Sequence, residues 1–396
     1  MFINSSYSTT KPLRILQVTE FFTPATGGST QVVYQLSRSL VKRGNSVTVI
    51  TSNFNQNDIQ FPSSPFEVLR FSTLPTYWKF YITPGLITWS KKHLTEFDVI
   101  HMHNVRTFQN AIISYQAGKI GIPYVLSAHG SLPHLGGHQL IKRVCDILFA
   151  KRLIHSADQL IAVSQTEVDQ YIDAGIPKDM ISIIHNGLDL DEFVSLPERG
   201  IFRKKYNISN QTKVVLFLGR LHKIKGVNYL IEAFSQVRVQ IADAKLVIAG
   251  PDDGISSALR ELIIRLELSE QVLFTGPIYG REKLSAYIDA DVLASPGSYE
   301  IFGLVPFEAI MCGTPVVVTD GSGAGNLIKE AQAGYLSQYG DVEMLSSILL
   351  RIFSSPFESN QMVVNGQEYI RQNLSWQMIT EDLERLYHHL TAIKVD

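Results

Sequence analysis

Two carboxylates with seven residues between them, Glu300 and Glu308 in SYEIFGLVPFEAIMCG, mark the stretch of this chain best suited to chemistry. Residues 292–295 read as a short buried strand and 303–310 as a helix, with Pro306 in its first turn, where a missing N–H costs nothing. Gly313 and Pro315 end that helix, and 316–319 reads as the next strand. Glu300 then lies on the loop and Glu308 one to two turns into the helix, with the free N–H groups of the helix start between them. Such a place can hold a phosphate at the helix end and accept hydrogen bonds from sugar hydroxyls at the carboxylates. The plainer account is that acids near a helix start merely complement its dipole, so the rest of the chain must decide.

A second cluster, GRLHKIKGVNYL, follows an apolar strand at 214–218. Gly219, Arg220 and Lys225 occupy a strand-to-helix turn, with Gly226 at the head of the helix. Cations there oppose the helix dipole, at a cost of about a few tenths of a kcal/mol each. An anion between them and the helix reverses that sign, so a diphosphate site is a better reading than two solvated cations. Gly27 and Gly28 sit at the corresponding turn of the first half, where glycine lets backbone N–H groups approach a ligand. The pattern is not GxGxxG, and no acid follows to hold a dinucleotide ribose, so a nicotinamide oxidoreductase is not expected. The run 321–325, GSGAG, reads as another glycine-rich loop.

His101, His103, His129, His134 and His138 invite a metal, but no cysteine or carboxylate completes a set, and none is expected. His129 ends a strand and is read as a substrate contact. The Asp-x-Asp pairs Asp189/Asp191 and Asp289/Asp291 fall in a linker and across a helix end, and are read as incidental. Nothing resembles a nucleophile elbow.

These residues need a scaffold, and the chain supplies a regular beat. Strands at 13–18, 47–51, 68–71, 99–101, 124–128, 159–163 and 181–185 alternate with helices from Ser29 or Thr30 to Arg43, then 86–94, 106–119, 140–155 and 165–174. After a linker at 188–200 the beat resumes: strands 214–218, 246–249 and 272–275, helices 227–237, 255–266 and 281–288, the stretch around Glu300, a helix at 342–353 and a last amphipathic helix at 376–390. Strands alternating with helices imply parallel sheets covered on both faces. The expectation is an α/β protein of two doubly wound Rossmann-like domains, 1–190 and 191–375, facing across a cleft, with ligands at the carboxyl ends of the strands. At 396 residues, 45% hydrophobic and 18% charged, the chain can fill both cores.

The net charge of −2 hides an asymmetry: residues 1–186 carry 16 basic against 11 acidic side chains, the remainder 19 against 26. That is too weak for a nucleic-acid binder. Cys145 and Cys312 form no framework, which suits a reducing compartment. With no signal-like start and no apolar run near the roughly 20 residues needed to span a bilayer, the expected location is cytoplasmic, at most peripheral on a membrane. Two segments suit an anionic headgroup layer. One is 77–92, mixing Trp78, Phe80, Tyr81 and Trp89 with Lys79, Lys91 and Lys92. The other is 140–155, with Lys142, Arg143, Lys151 and Arg152 around Ile141, Val144, Ile147, Leu148 and Ile154.

Taken together, the chain from about Lys11 onward resembles the retaining GT-B glycosyltransferases of family 4, which include sucrose synthases and bacterial surface-glycan transferases. The resemblance rests on Glu-x7-Glu within EIFGLVPFEA, on Gly219-Arg220 with Lys225, on NGLDLDEF, VSQTE, and Ser375-Trp376 before the last helix. It implies that the helix 376–396 crosses back onto the first domain. It further implies that Arg220 and Lys225 bind the donor diphosphate, that Glu308 holds the ribose diol, and that Glu300 and backbone N–H groups near Phe302, Gly303 and Leu304 take the donor sugar. Gly28 and His129 would contribute from the acceptor domain. No metal or other cofactor is implied. The expected reaction moves a hexose from a UDP- or GDP-sugar to a lipid-linked or polysaccharide acceptor of cell-surface glycan synthesis. A nucleotide-sugar epimerase of the same architecture, or a non-catalytic nucleotide-sugar-binding protein, is the alternative. Three departures stand out: Ile301 in place of a glycine, GSGAGNLI in place of GG-x-P-E, and the elaboration HGSLPHLGGH around His129.

Overall fold

In the computed structural model, which describes residues 11–24, 28–54, 61, 64–74, 80–134 and 139–393, the strands form two sheets, each parallel throughout. The first contains β1 (Arg14–Val18), β2 (Ser46–Ser52), β3 (Glu67–Phe71), β4 (Val99–His103), β5 (Tyr124–Ser127), β6 (Gln159–Ala162) and β7 (Ile181–Ile183), in the order β3-β2-β1-β4-β5-β6-β7. The strands are apolar on both faces because helices cover both. Along β1, Leu16 and Val18 enter one core with Ile100 and Leu126, while Ile15 enters the other with Val99 and Val125. The second sheet contains β8 (Lys213–Leu218), β9 (Ala244–Ala249), β10 (Val272–Gly276), β11 (Val292–Ser295), β12 (Val316–Thr319) and β13 (Tyr335–Ser337), in the order β10-β9-β8-β11-β12-β13.

The chain divides into two units. The first runs to Ile184, apart from Ser164–Thr166, and takes in the last helix, Trp376–Ile393; the second comprises Ser164–Thr166 and His185–Ser375. That last helix buries Trp376, Ile379, Leu383, Tyr387 and Leu390, a three-four spacing that makes one apolar stripe. The stripe lies in the core shared with Val33 and Leu36 of the helix Gly28–Lys42. Polar contacts fix its register: Glu384 accepts from Arg43 Nε at 2.6 Å and from the Asn45 amide, and Thr380 lies 3.0 Å from Ser39.

Several local expectations need correction. The glycine-rich run at 321–325 is not a loop but a helix start, since Ser322 accepts the Gly325 N–H at 2.9 Å and caps the helix Gly323–Glu330. An 18-residue helix, Pro356–Asn373, and the short β13 were not anticipated. The expected helix 140–155 is interrupted by a π-helical stretch, Asp146–Ala150. The pair Asp289/Asp291 has structural work: Asp289 accepts the N–H groups of Gly200, Phe202 and Arg203, and Asp291 pairs with the buried Arg203 guanidinium at 2.9 Å. In the segment 77–92, Tyr77, Trp78 and Lys79 lie outside the described residues. The remaining aromatics face other rings: Phe80 meets Phe108 and Phe149, Tyr81 meets Phe21 and Phe54, and Trp89 meets Phe71 and Phe97.

The docking of the last helix gives a direct test. Glu384→Ala leaves Arg43 without its acceptor and Asn45 Nδ2 with only the Leu40 carbonyl, and should cost about 2 kcal/mol, read as a lower urea midpoint for the first unit. A midpoint equal to wild type would show that the apolar stripe alone holds the helix.

Candidate functional site

The second sheet changes direction at β8, which has β9 on one side and β11 on the other, and open α/β sheets take ligands at such carboxyl-end switch points. After β8 come Gly219 and Arg220, a 3-10 turn Lys223–Lys225, and Gly226 at the head of the helix Val227–Gln240. After β11 the chain passes Glu300 and reaches Gly303, whose φ of 73° is the left-handed conformation that opens the helix Leu304–Met311. A side chain there would be strained, and its Cβ would meet Glu300 Cγ at 2.7 Å. The two loops converge: Lys225 Nζ lies 2.5 Å from Glu300 Oε2, with both side chains mostly buried. Arg220 is 61% exposed and pairs with Asp253 at 2.8 Å.

The loop carrying Glu300 is held from behind. Gly323 N–H donates to the Glu300 carbonyl at 2.7 Å, and a Cβ on Gly323 would sit 1.7 Å from the Ile301 carbonyl oxygen. Only a bare backbone fits there, which is the steric reason for glycine at the start of GAGNLI. Ile301 is buried, and Phe302 packs against Phe307 and His185 at ring distances of 5.4 and 5.9 Å.

Glu308, in the second turn of the helix Leu304–Met311, has two partners that sequence reading missed. Lys283 Nζ lies 2.9 Å from its Oε1, and Tyr287 donates to its Oε2 at 2.7 Å. Both come from the helix Gly280–Asp289, where their i, i+4 spacing was the available signal. Burial alone would lower the Lys283 pKa, but the Glu308 charge and hydrogen bond outweigh it and raise it. Burial and then the same carboxylate push Tyr287 well above the usual phenol range and Cys312 up to about 12.

In the first unit, Gly28 is the exposed first residue of its helix, and Gly27 lies outside the described residues. His129, half-buried with a left-handed φ of 50°, follows β5. The next N–H, of Gly130, donates to Glu167 at 2.6 Å, as does that of Val163 at 2.9 Å, and burial pushes this carboxyl up to about 7. His129 Nε2 lies 2.8 Å from His103 Nδ1. His134 lies 2.5 Å from Asp146, which Arg106 clasps through two nitrogens at 2.7 and 3.1 Å. His138 is outside the described residues, among which no group of three or more His, Cys, Asp or Glu side chains is placed to hold a metal ion.

A model of the group 1 glycosyl transferases matches residues 198–369, and one of glycosyltransferase family 4 matches residues 26–192. The chain belongs to the family 4, group 1 glycosyltransferases. An uncharacterized glycosyltransferase of Methanocaldococcus jannaschii is 28% identical over 95% of this chain and 98% of its own. A D-inositol 3-phosphate glycosyltransferase of Corynebacterium diphtheriae is 27% identical over 93% and 91%. The fold is shared with Anabaena HepE, solved in complex with UDP-glucose, at a TM-score of 0.77, 21% identity, and coverage of 95% of this chain and 100% of that one. The two doubly wound units are thus those of a GT-B glycosyltransferase.

In this glycosyltransferase the loops after β8 and β11 bring a lysine, an acid and a helix start together, an arrangement able to hold an anion beside groups that accept hydroxyl protons. The first unit brings a row of neutral histidines to the end of its sheet. Burial lowers the His129 pKa from 6.5 to about 4 and holds those of His101 and His103 well below the usual imidazole range. An unfolded chain protonates these rings below about 6.5. Their share of stability is therefore complete above that pH and is lost as pH falls toward about 4. The stability gap between wild type and His129→Gln should shift against wild type across that window, as followed by urea unfolding. A gap that does not change with pH would contradict the neutral ring.

Proposed function

We propose that the chain transfers a hexose, with retention of anomeric configuration, from a UDP- or GDP-sugar to a lipid-linked or polysaccharide acceptor of cell-surface glycan synthesis. The observation that carries this reading is the Lys225–Glu300 pair, set beside the helix start at Leu304 and the anchored carboxylate of Glu308. Arg220 and Lys225 take the diphosphate and stabilise it as it leaves. Glu300 and the N–H groups of Phe302, Gly303 and Leu304 take the sugar, Glu308 the ribose diol, and Gly28 and His129 contribute from the first unit. As the bond from C1 to the diphosphate breaks, the acceptor oxygen bonds C1 from the same face and gives its proton to the departing phosphate oxygen. The oxocarbenium-like charge is stabilised electrostatically, with no carboxylate nucleophile and no metal. The UDP-glucose complex of HepE supports a UDP-sugar donor. The D-inositol 3-phosphate relative favours a second reading, in which the acceptor is a small phosphorylated polyol suited to a basic first unit.

The free chain holds Lys225 against Glu300, so an arriving diphosphate and Glu300 must share one cation. Lys225→Ala should weaken UDP or GDP binding on the order of 10–100-fold, the loss of a charge-assisted bond of roughly 1.5–3 kcal/mol. Glu300→Gln should leave that binding at least as tight while lowering transfer. Calorimetric titration decides, and weaker nucleotide binding in Glu300→Gln would refute the shared cation. A thermal-shift panel of nucleotide sugars identifies the donor, because a ligand at about 100 times its Kd adds about 2.7 kcal/mol. Incubation of that donor with glycan, lipid-linked and inositol phosphate acceptors, read by the anomeric signals of the product, tests acceptor and retention.

Among the described residues no helix is long and apolar enough to cross a membrane. A cytoplasmic location, peripheral on a membrane, belongs to this reading, and its peripheral part is supported by Leu140, Val144, Ile147 and Leu148, exposed by 77, 52, 78 and 73% beside Lys142, Arg143, Lys151 and Arg152, whereas Ile154, expected on the same face, is buried in the core. Wild type should sediment with phosphatidylserine vesicles at low salt, and Ile147→Asp with Leu148→Asp should abolish this. Equal binding by both proteins, or none by wild type, would remove the proposal.

A further inference from the structure

Three histidine rings stand in a row from the middle of β4, at His101, through its last residue, His103, to His129 just beyond β5. The ring centroids of His101 and His103 are 4.1 Å apart, and those of His103 and His129 are 5.1 Å apart with planes 11° from parallel. Each nitrogen inside the row has one partner. His101 Nδ1 lies 2.7 Å from the Tyr387 hydroxyl and its Nε2 lies 2.8 Å from Ser127 Oγ. His103 Nε2 lies 2.7 Å from Gln17 Oε1, and its Nδ1 lies 2.8 Å from His129 Nε2.

A neutral imidazole has one N–H and one lone pair, so each bond constrains the next. Burial keeps all three rings neutral at pH 7. The amide oxygen of Gln17 only accepts, which places the His103 proton on Nε2. His103 Nδ1 is then bare and only accepts, which places the His129 proton on Nε2. The Nδ1 of His129 keeps its lone pair, and no described residue bonds to it. The Gln17 amide nitrogen faces the Tyr387 hydroxyl without a well-formed hydrogen bond, so the bond between Tyr387 and His101 Nδ1 can run in either sense. Turning the amide over would reverse the bonds from Gln17 through His103 to His129, so the tautomer of His129 reports on that of His103.

We infer that Gln17 and His103 are positioning residues that hold His129 in its Nε2–H form, so that Nδ1 accepts a hydrogen bond from a substrate hydroxyl. The inference rests on the substrate contact given to His129 above. A phosphate oxygen without a proton would meet a lone pair at Nδ1 and be turned away, whereas a sugar or polyol hydroxyl is oriented by it. A ring in the opposite tautomer would present an N–H and accept either group, losing that selectivity.

The test uses the full chain labelled with nitrogen-15 at histidine. Long-range proton–nitrogen correlation at pH 8 should show His129 with a protonated Nε2 and a bare Nδ1. Gln17→Met removes the acceptor and should mix the two tautomers of His129. Gln17→Glu, which returns an accepting oxygen to this buried position, should restore the single form. With UDP-glucose as donor, Gln17→Met should raise the KM of the substrate that His129 contacts by about 3- to 10-fold, the loss of one neutral hydrogen bond, with kcat changed less. A protonated Nδ1 on His129 in wild type overturns the inference, as does an unaltered signature in Gln17→Met. If the tautomer is as stated but His129→Ala keeps wild-type KM values for donor and acceptor, the substrate contact itself is refuted, and the recognition role falls with it.

Discussion

A lysine ammonium 2.5 Å from a glutamate carboxylate, Lys225 against Glu300, ties together two loops that are 75 residues apart in the chain. Each partner alone would be a mostly buried charge without compensation, and neither loop contains its own counter-ion. The pair therefore needs β8 and β11 side by side, and that adjacency follows from the strand order of the second sheet. It also needs Gly303 in a left-handed turn under Glu300, and Gly323 pressed against the carbonyl of Ile301. Ion pairing of this kind is poised rather than inert: a more highly charged anion competes for the lysine, and the acid then faces whatever the anion carries.

Much of this was readable in the chain, because its signals are local. Near-continuous apolar runs such as RILQV and KVVLFL mark strands covered on both faces. The types and spacing of Gly219, Arg220, Lys225, Glu300 and Glu308 place each on a loop or helix start. What the sequence hides is partnership across distance. Lys283 and Tyr287 looked like any polar and aromatic residues of an amphipathic helix until Glu308 was seen between them. Tyr387, which meets His101 across 286 residues, carried no local hint of that contact.

Glycine was the most misleading letter. The run at 321–325 reads as a loop because glycine disfavours helices, yet Gly323 and Gly325 lie in a helix that must pass within contact of the Ile301 and Thr319 carbonyls. Gly366 likewise lies inside a helix, Pro356–Asn373. A Cβ there would come within 2.8 Å of both Ala333 and Ile310, so its absence lets that helix lie close against its neighbours. In both places close packing outweighs the roughly 1 kcal/mol that glycine costs a helix interior.

The last helix has a consequence for synthesis. Because Trp376–Ile393 belongs with the first unit while everything from His185 to Ser375 forms the second, a ribosome completes the second core before it releases the final piece of the first. Tyr387 is part of that final piece, and it is the hydrogen-bond partner of His101. The nascent first unit must therefore persist with one apolar face and the end of its histidine row open, the stage at which a chaperone or a protease has its best hold on this protein.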